Sequence, residues 1–113
     1  MASEECWLVS GGHVLASAER ASTGGARARG LLGRDGIGGA LVLTPCRSVH
    51  TLGMRFAIDV AYLDSEGVVI KVAHMHRNRI GWPVWKAKSI VEAEAGAFER
   101  WGLLVGQQVE LRE

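Results

Sequence analysis

The 113-residue chain has only two cysteines, Cys6 and Cys46, with no CxxC spacing between them. Its thiols alone therefore cannot frame a four-ligand zinc site, and in a reducing compartment they are expected to be free rather than paired. No apolar run approaches the ~20 residues of a membrane span. The opening MASEECWLVSGG carries two early acids and no basic segment ahead of a long apolar run, which argues against a signal peptide and for the cytoplasm. The formal net charge is only +1, so whole-molecule electrostatics make no case for nucleic acid or an anionic membrane, and any such case rests on a local patch. Helical zinc-protease spacing, the lysine and hydroxyl of a phosphate loop, internal repeats and low-complexity linkers are all missing as well.

What is present is ordinary globular composition: 48% hydrophobic and 22% charged residues, unlike the polar, highly charged mix of disordered chains. A chain of this size buries about two thirds of its unfolded surface in one core, so residues 1–113 are expected to form a single domain and, by default, a monomer. Cys6 to Val9 and His13 to Ala16 flank a Ser-Gly-Gly turn and predict an N-terminal hairpin. From Ala18 to Leu32 the Ala/Arg-rich composition, with Ser22 and Thr23 as caps, predicts a short helix. GRDGIGG at Gly33 to Gly39 is a loop. Ala40 to Pro45, Ser89 to Glu94 and Val109 to Arg112 read as strands, and Ala97 to Gly102 as a helical turn. Ile58 to Leu63 and Val68 to Ala73 form the clearest hairpin pair, joined by Asp64-Ser65-Glu66-Gly67. The expected fold class is mainly β, a β-sandwich or barrel-like α+β domain with one or two short helices.

Four signals occur in a recognisable order: ARGLLGR (Ala28 to Arg34), LTPCRSVHT (Leu43 to Thr51), MRFAIDVAYLD (Met54 to Asp64), and the late Glu92 and Gly96. Together they resemble the prokaryotic domain-of-unknown-function family 192. The resemblance spans nearly the whole chain and implies a small β-sandwich-like fold with one or two short helices, without an activity. The family often carries proline where Ala57 stands, aspartate where Gln107 stands, and proline near Arg77 or Asn78.

The segment His50 to Asp64 sets an imidazole, a guanidinium and a carboxylate in a run that otherwise reads as core strand, and polar groups placed there need partners. In a regular strand Met54, Phe56, Ile58, Val60 and Tyr62 share the core face, while Arg55 and Asp59 lie opposite among small side chains. They would be about 13 Å apart, too far for a direct pair. In one reading Arg55 anchors loop carbonyls, Asp59 caps a turn or helix, and His50 bonds to backbone. In the other, His50, Thr51, Arg55 and Asp59 line a shallow polar groove, Arg55 holds an anion, and Arg34 joins them if its loop folds over.

Other clusters are weaker. Cys46 and His50 sit too far apart along an extended chain to act together as nucleophile and base. His74 and His76 point the same way and permit a metal without diagnosing one; no metal and no cofactor are expected. Between Gly67 and Lys88 every charged residue is basic, with Trp82 and Trp85 among them. Such a mix suits single-stranded nucleic acid, although tryptophans folded back over the core beneath solvated cations are the stronger expectation.

The function expected is a non-catalytic binding module for a small anionic ligand or a protein segment. Nucleic acid and membrane are not expected partners. A small hydrolase or lyase is the first alternative, with His50 as base and Arg55 as electrostatic stabiliser. The second is an interaction domain of an assembly, recognisable by an exposed apolar patch at Trp82 and Trp85.

Overall fold

The computed structural model describes residues 3–113. Strands β1 (Ser3–Ser10) and β2 (His13–Ala21) form the expected hairpin, longer than the sequence suggested. Gly11 and Gly12 turn it with φ values of 57° and 81°, the left-handed pair that a two-residue type I′ turn needs. Helix α1 is confined to Gly24–Arg29, capped where the Thr23 hydroxyl accepts from the Ala26 N–H at 3.1 Å. The expected short helix is found with Thr23 as its cap, while residues 18–21 of the Ala/Arg-rich stretch extend β2 and pair with β1 on one side and with β3 (Ala40–Leu43) on the other. Ladder bonds on both sides outweigh the helix propensity of alanine and arginine.

The chain continues through β4 (Ile58–Leu63), β5 (Val69–Met75), β6 (Ser89–Glu94), helix α2 (Ala97–Trp101) and β7 (Val109–Arg112). All seven strands join one sheet in the order β5-β4-β6-β3-β2-β1-β7. Only β2 and β3 run parallel, which is why a helix is needed between them to return the chain to the same end of the sheet. The sheet curls into a half-barrel. Its edges β5 and β7 meet at one end, where the Val69 N–H donates to the Gln107 carbonyl and the Val109 N–H to the Gly67 carbonyl. Of the two architectures expected, the barrel-like one is found.

Curling divides the apolar side chains into two cores. The inner one takes Leu8, Ala18, Val42, Leu63, Val69, Val91 and Val109, one from each strand, with Phe98 of α2 packed against them. The outer one places Leu41, Leu43, Ile58, Val60, Tyr62 and Ile90 beneath α1 and the connection that contains Val49 and Met54. Because both faces are covered, all six residues of β4 are buried. The expected core face is present: Met54, Ile58, Val60 and Tyr62 belong to the outer core, and Phe56 packs against it. On the opposite face, regular strand begins only at Ile58, and Ala61 and Leu63 enter the inner core.

Candidate functional site

The five residues singled out in the sequence are dispersed. Thr51 is fully buried and acts as a clamp: its hydroxyl donates to the His76 carbonyl at 2.6 Å and accepts from the Arg79 N–H at 2.8 Å. Its backbone bonds to Arg79 and Asn78 as well, so this one residue locks two connections together. Asp59 is buried at the mouth of α2, and its Oδ2 accepts from the N–H groups of Gly96 and Phe98 at 3.0 and 3.2 Å. Its Oδ1 lies 3.2 Å from His74 Nδ1. This carboxylate from a distant strand does the work of an N-cap, since Gly96 has no side chain with which to cap α2. Arg55 is exposed and pairs with exposed Asp35 at 2.9 Å. The glycine loop does reach Arg55, through Asp35, whereas Arg34 turns away to a two-bond pair with Glu19 at 2.8 and 3.2 Å. His50 stands apart from the other four, on the rim of a different cleft.

That cleft has a volume of about 350 Å³ and lies on the outer face of the sheet. Glu92 sits in it. On β6, Glu92 is opposite Leu41 of β3 and Val60 of β4, in the middle of the sheet and only 3% exposed. Its Oε1 is the one buried side-chain polar atom without a hydrogen-bond partner among the described residues. Burial pushes the carboxyl up to about 7, against a smaller downward pull from the Arg34 guanidinium. Around it stand Arg27, Arg29, Gly30, Cys46, His50 and Leu52. Gly30, at φ 49°, ends α1, and a side chain there would begin 3.5 Å from Glu92 Oε1. Glycine thus serves the positive-φ turn, and a Cβ there would reach only ordinary van der Waals contact with the carboxylate. Each of the four segments carrying the family resemblance contributes to this one cleft: Arg29 and Gly30, Cys46 and His50, Met54, and Glu92.

Glu92 received no role from the sequence, although the signal was there. Val91 and Ala93 flank it in a strand whose neighbours are apolar, and a glutamate in a central strand covered on both faces requires a reason. That reason lies in the fold, where α1 and the 44–54 connection, distant in sequence, cover the strand.

The Cys46 thiol donates to the Ser48 carbonyl at 3.2 Å, and burial pushes it up, away from the thiolate. No disulfide joins Cys6 and Cys46. His74 and His76 stack edge-to-face with centroids 4.9 Å apart, and among the described residues no three side chains of metal-ligating type converge. Trp82 and Trp85 depart from expectation. Instead of folding over the core they are 85% and 77% exposed, because the backbone beneath them is bonded to the 47–50 segment and leaves their rings outside.

Comparison with known proteins gives the same fold without an assignment of activity. The model of the DUF192 family, described as Uncharacterized ACR, matches residues 7–111. A UPF0127 protein of Pyrococcus furiosus is 40% identical over 63 residues, which cover 56% of this chain and 54% of that protein. The chain therefore spans about half the length of this curated relative. Two solved structures share the fold at 17% identity. One, a protein of unknown function from Novosphingobium aromaticivorans, superposes with a TM-score of 0.76 over 96% of this chain and 84% of its own. The other, a putative transcription regulator from Sinorhizobium meliloti, superposes with a TM-score of 0.78 over 97% and 94%.

Proposed function

Because the chain belongs to the DUF192 family, which supplies a fold and no activity, we propose from the geometry of its own cleft that it is a non-catalytic binding module with its site at Glu92. One observation carries this reading: a buried carboxylate oxygen without a hydrogen-bond partner, on a residue that lines a cleft. An unsatisfied buried acceptor costs about 1–3 kcal/mol, and a ligand donating one hydrogen bond to it recovers that cost on binding. The rim adds a second requirement. Arg27 and Arg29 line the same cleft, so the favoured ligand is a small anion that also carries a donor: a hydroxy acid, an amino acid, or an acidic peptide end. His50 keeps the ligand-contacting role expected of it. Arg55, Asp59 and Thr51 act on the fold instead, through the bonds described above.

The test is a thermal-shift screen of hydroxy acids, amino acids and short acidic peptides. It compares the protein with Glu92→Leu, which removes the acceptor, and Ser48→Trp, which blocks the cleft from an exposed position. Hits are expected to raise the melting temperature of the parent protein and of neither variant. Hits that act equally on all three would place binding elsewhere and sink the proposal.

A further inference from the structure

A different surface carries a second kind of contact. In the run from Gly67 to Ser89 every charged side chain is basic: Lys71, Arg77, Arg79, Lys86 and Lys88, accompanied by His74 and His76. At its centre Ile80, Trp82 and Trp85 are 74%, 85% and 77% exposed, a cluster of large apolar side chains that water alone does not favour. The cluster is held in place. Gly81 N–H donates to the Val49 carbonyl and Val84 N–H to the Arg47 carbonyl, both at 2.8 Å, and Arg47 Nε donates to the Trp85 carbonyl at 3.2 Å. Val84 turns inward to pack against the outer core, which fixes the segment while its neighbours face out.

We propose that this tryptophan-bearing segment is a peripheral docking surface for an anionic lipid bilayer. Trp side chains settle at the headgroup level, where one part of the indole is apolar and its N–H stays wet. Ile80 adds apolar area, and Arg79 and Lys86, beside these residues in the chain, together with Arg47, bonded to the Trp85 carbonyl, are drawn to anionic headgroups, each strengthening binding about fivefold near the surface. Single-stranded nucleic acid would use the tryptophan faces and the cations but has no use for an exposed isoleucine, so the composition favours lipid. The contact is peripheral: among the described residues no helix is long and apolar enough to cross a membrane. With a formal net charge of only +1, attraction depends on this one face meeting the bilayer.

The experiment mixes the full chain with vesicles of phosphatidylcholine alone or enriched in phosphatidylglycerol, reading co-sedimentation and tryptophan emission. Sedimentation with the anionic vesicles only, a blue-shifted emission and weakening by salt are expected. The double variant Trp82→Ser/Trp85→Ser should lose at least about tenfold in partitioning, and Arg79→Gln/Lys86→Gln should bind more weakly with a shallower salt dependence. Circular dichroism confirms folding of the variants, all of which alter exposed side chains. No sedimentation with anionic vesicles, equal sedimentation of the tryptophan double variant, or a response to single-stranded oligothymidine in place of vesicles would each overturn the proposal, the last in favour of nucleic acid.

Discussion

Asp59 and Glu92 occupy neighbouring rungs of the same β4–β6 ladder, Asp59 opposite Ala93 and Glu92 opposite Val60, and both are buried. They face opposite sides of the sheet, and their circumstances are reversed. Asp59 spends its oxygens on two backbone N–H groups and a histidine. Glu92 keeps an oxygen without a partner beside a cleft. A carboxylate saturated by its own protein is part of the fold; one left unsatisfied next to an opening is available to something else. Burial alone does not separate the two acids. The missing hydrogen bond at Glu92 Oε1 does.

The largest expected effect tests whether Glu92 truly lacks compensation. Its carboxyl is pushed up to about 7 from an ordinary value of 4.5. Between those values the folded chain holds a proton that the unfolded chain has released, so stability falls as pH rises through this window and levels off above about 7. The total loss is about 3 kcal/mol. Glu92→Gln cannot ionise, so its stability relative to the parent should rise by about this much between about pH 4 and about pH 8, read from urea melts at each pH. Parallel pH profiles for the two proteins would mean that the Glu92 carboxylate is compensated within the fold, and the contrast would collapse.

Asp59→Ala should break the other half of the comparison. It strips the acceptor from the Gly96 and Phe98 N–H groups and should cost about 2 kcal/mol. Hydrogen exchange should accelerate first in residues 97–101, because α2 has no side-chain cap of its own. Uniform loss of protection across the sheet would show that Asp59 supports more than the helix start. Thr51→Val comes next. The substitution keeps shape but leaves the Arg79 N–H and the His76 carbonyl without the hydroxyl, and about 1–2 kcal/mol of stability should be lost. Binding of any ligand in the Glu92 cleft should survive, which separates the clamp from the site.

Much of the fold was legible because its signals are local. The Ser10-Gly11-Gly12 turn, the Asp64 to Gly67 connection and the apolar runs of β3 and β4 each announce themselves within ten residues. The end of β2 did not, since Ala18 to Ala21 become strand through partners supplied by β1 and β3. The site was harder for the same reason. Thr51, Arg55 and Asp59 drew notice as polar residues in an apolar run, yet their partners at 79, 35 and 96 are distant in sequence. Only the fold decides whether a polar residue in such a run is satisfied. Glu92 lay in plain view in a strand, and what distinguishes it is a buried oxygen, Oε1, without a hydrogen-bond partner, which no stretch of sequence displays. The exposure of Trp82 and Trp85 likewise depends on backbone bonds to the 47–49 segment, formed across more than thirty residues.

The smallest effect concerns Arg55, the residue the sequence made most conspicuous. Its side chain is 58% exposed and that of its partner Asp35 is 88% exposed, so solvent screens the pair and ordering two exposed side chains offsets what remains. Arg55→Ala should change stability by no more than about 0.5 kcal/mol, and Asp35→Ala by no more, with non-additivity in the double variant too small to resolve in urea melts. The informative measurement is ligand binding in the Glu92 cleft, which Arg55→Ala should leave unchanged because Arg55 lies instead on a separate depression beside His76 and Arg79. A loss of binding without a loss of stability would restore Arg55 as an anion-holding residue. It would also show that a charge paired only at the surface can be functional, the reverse of what Asp59 and Glu92 teach about charges inside.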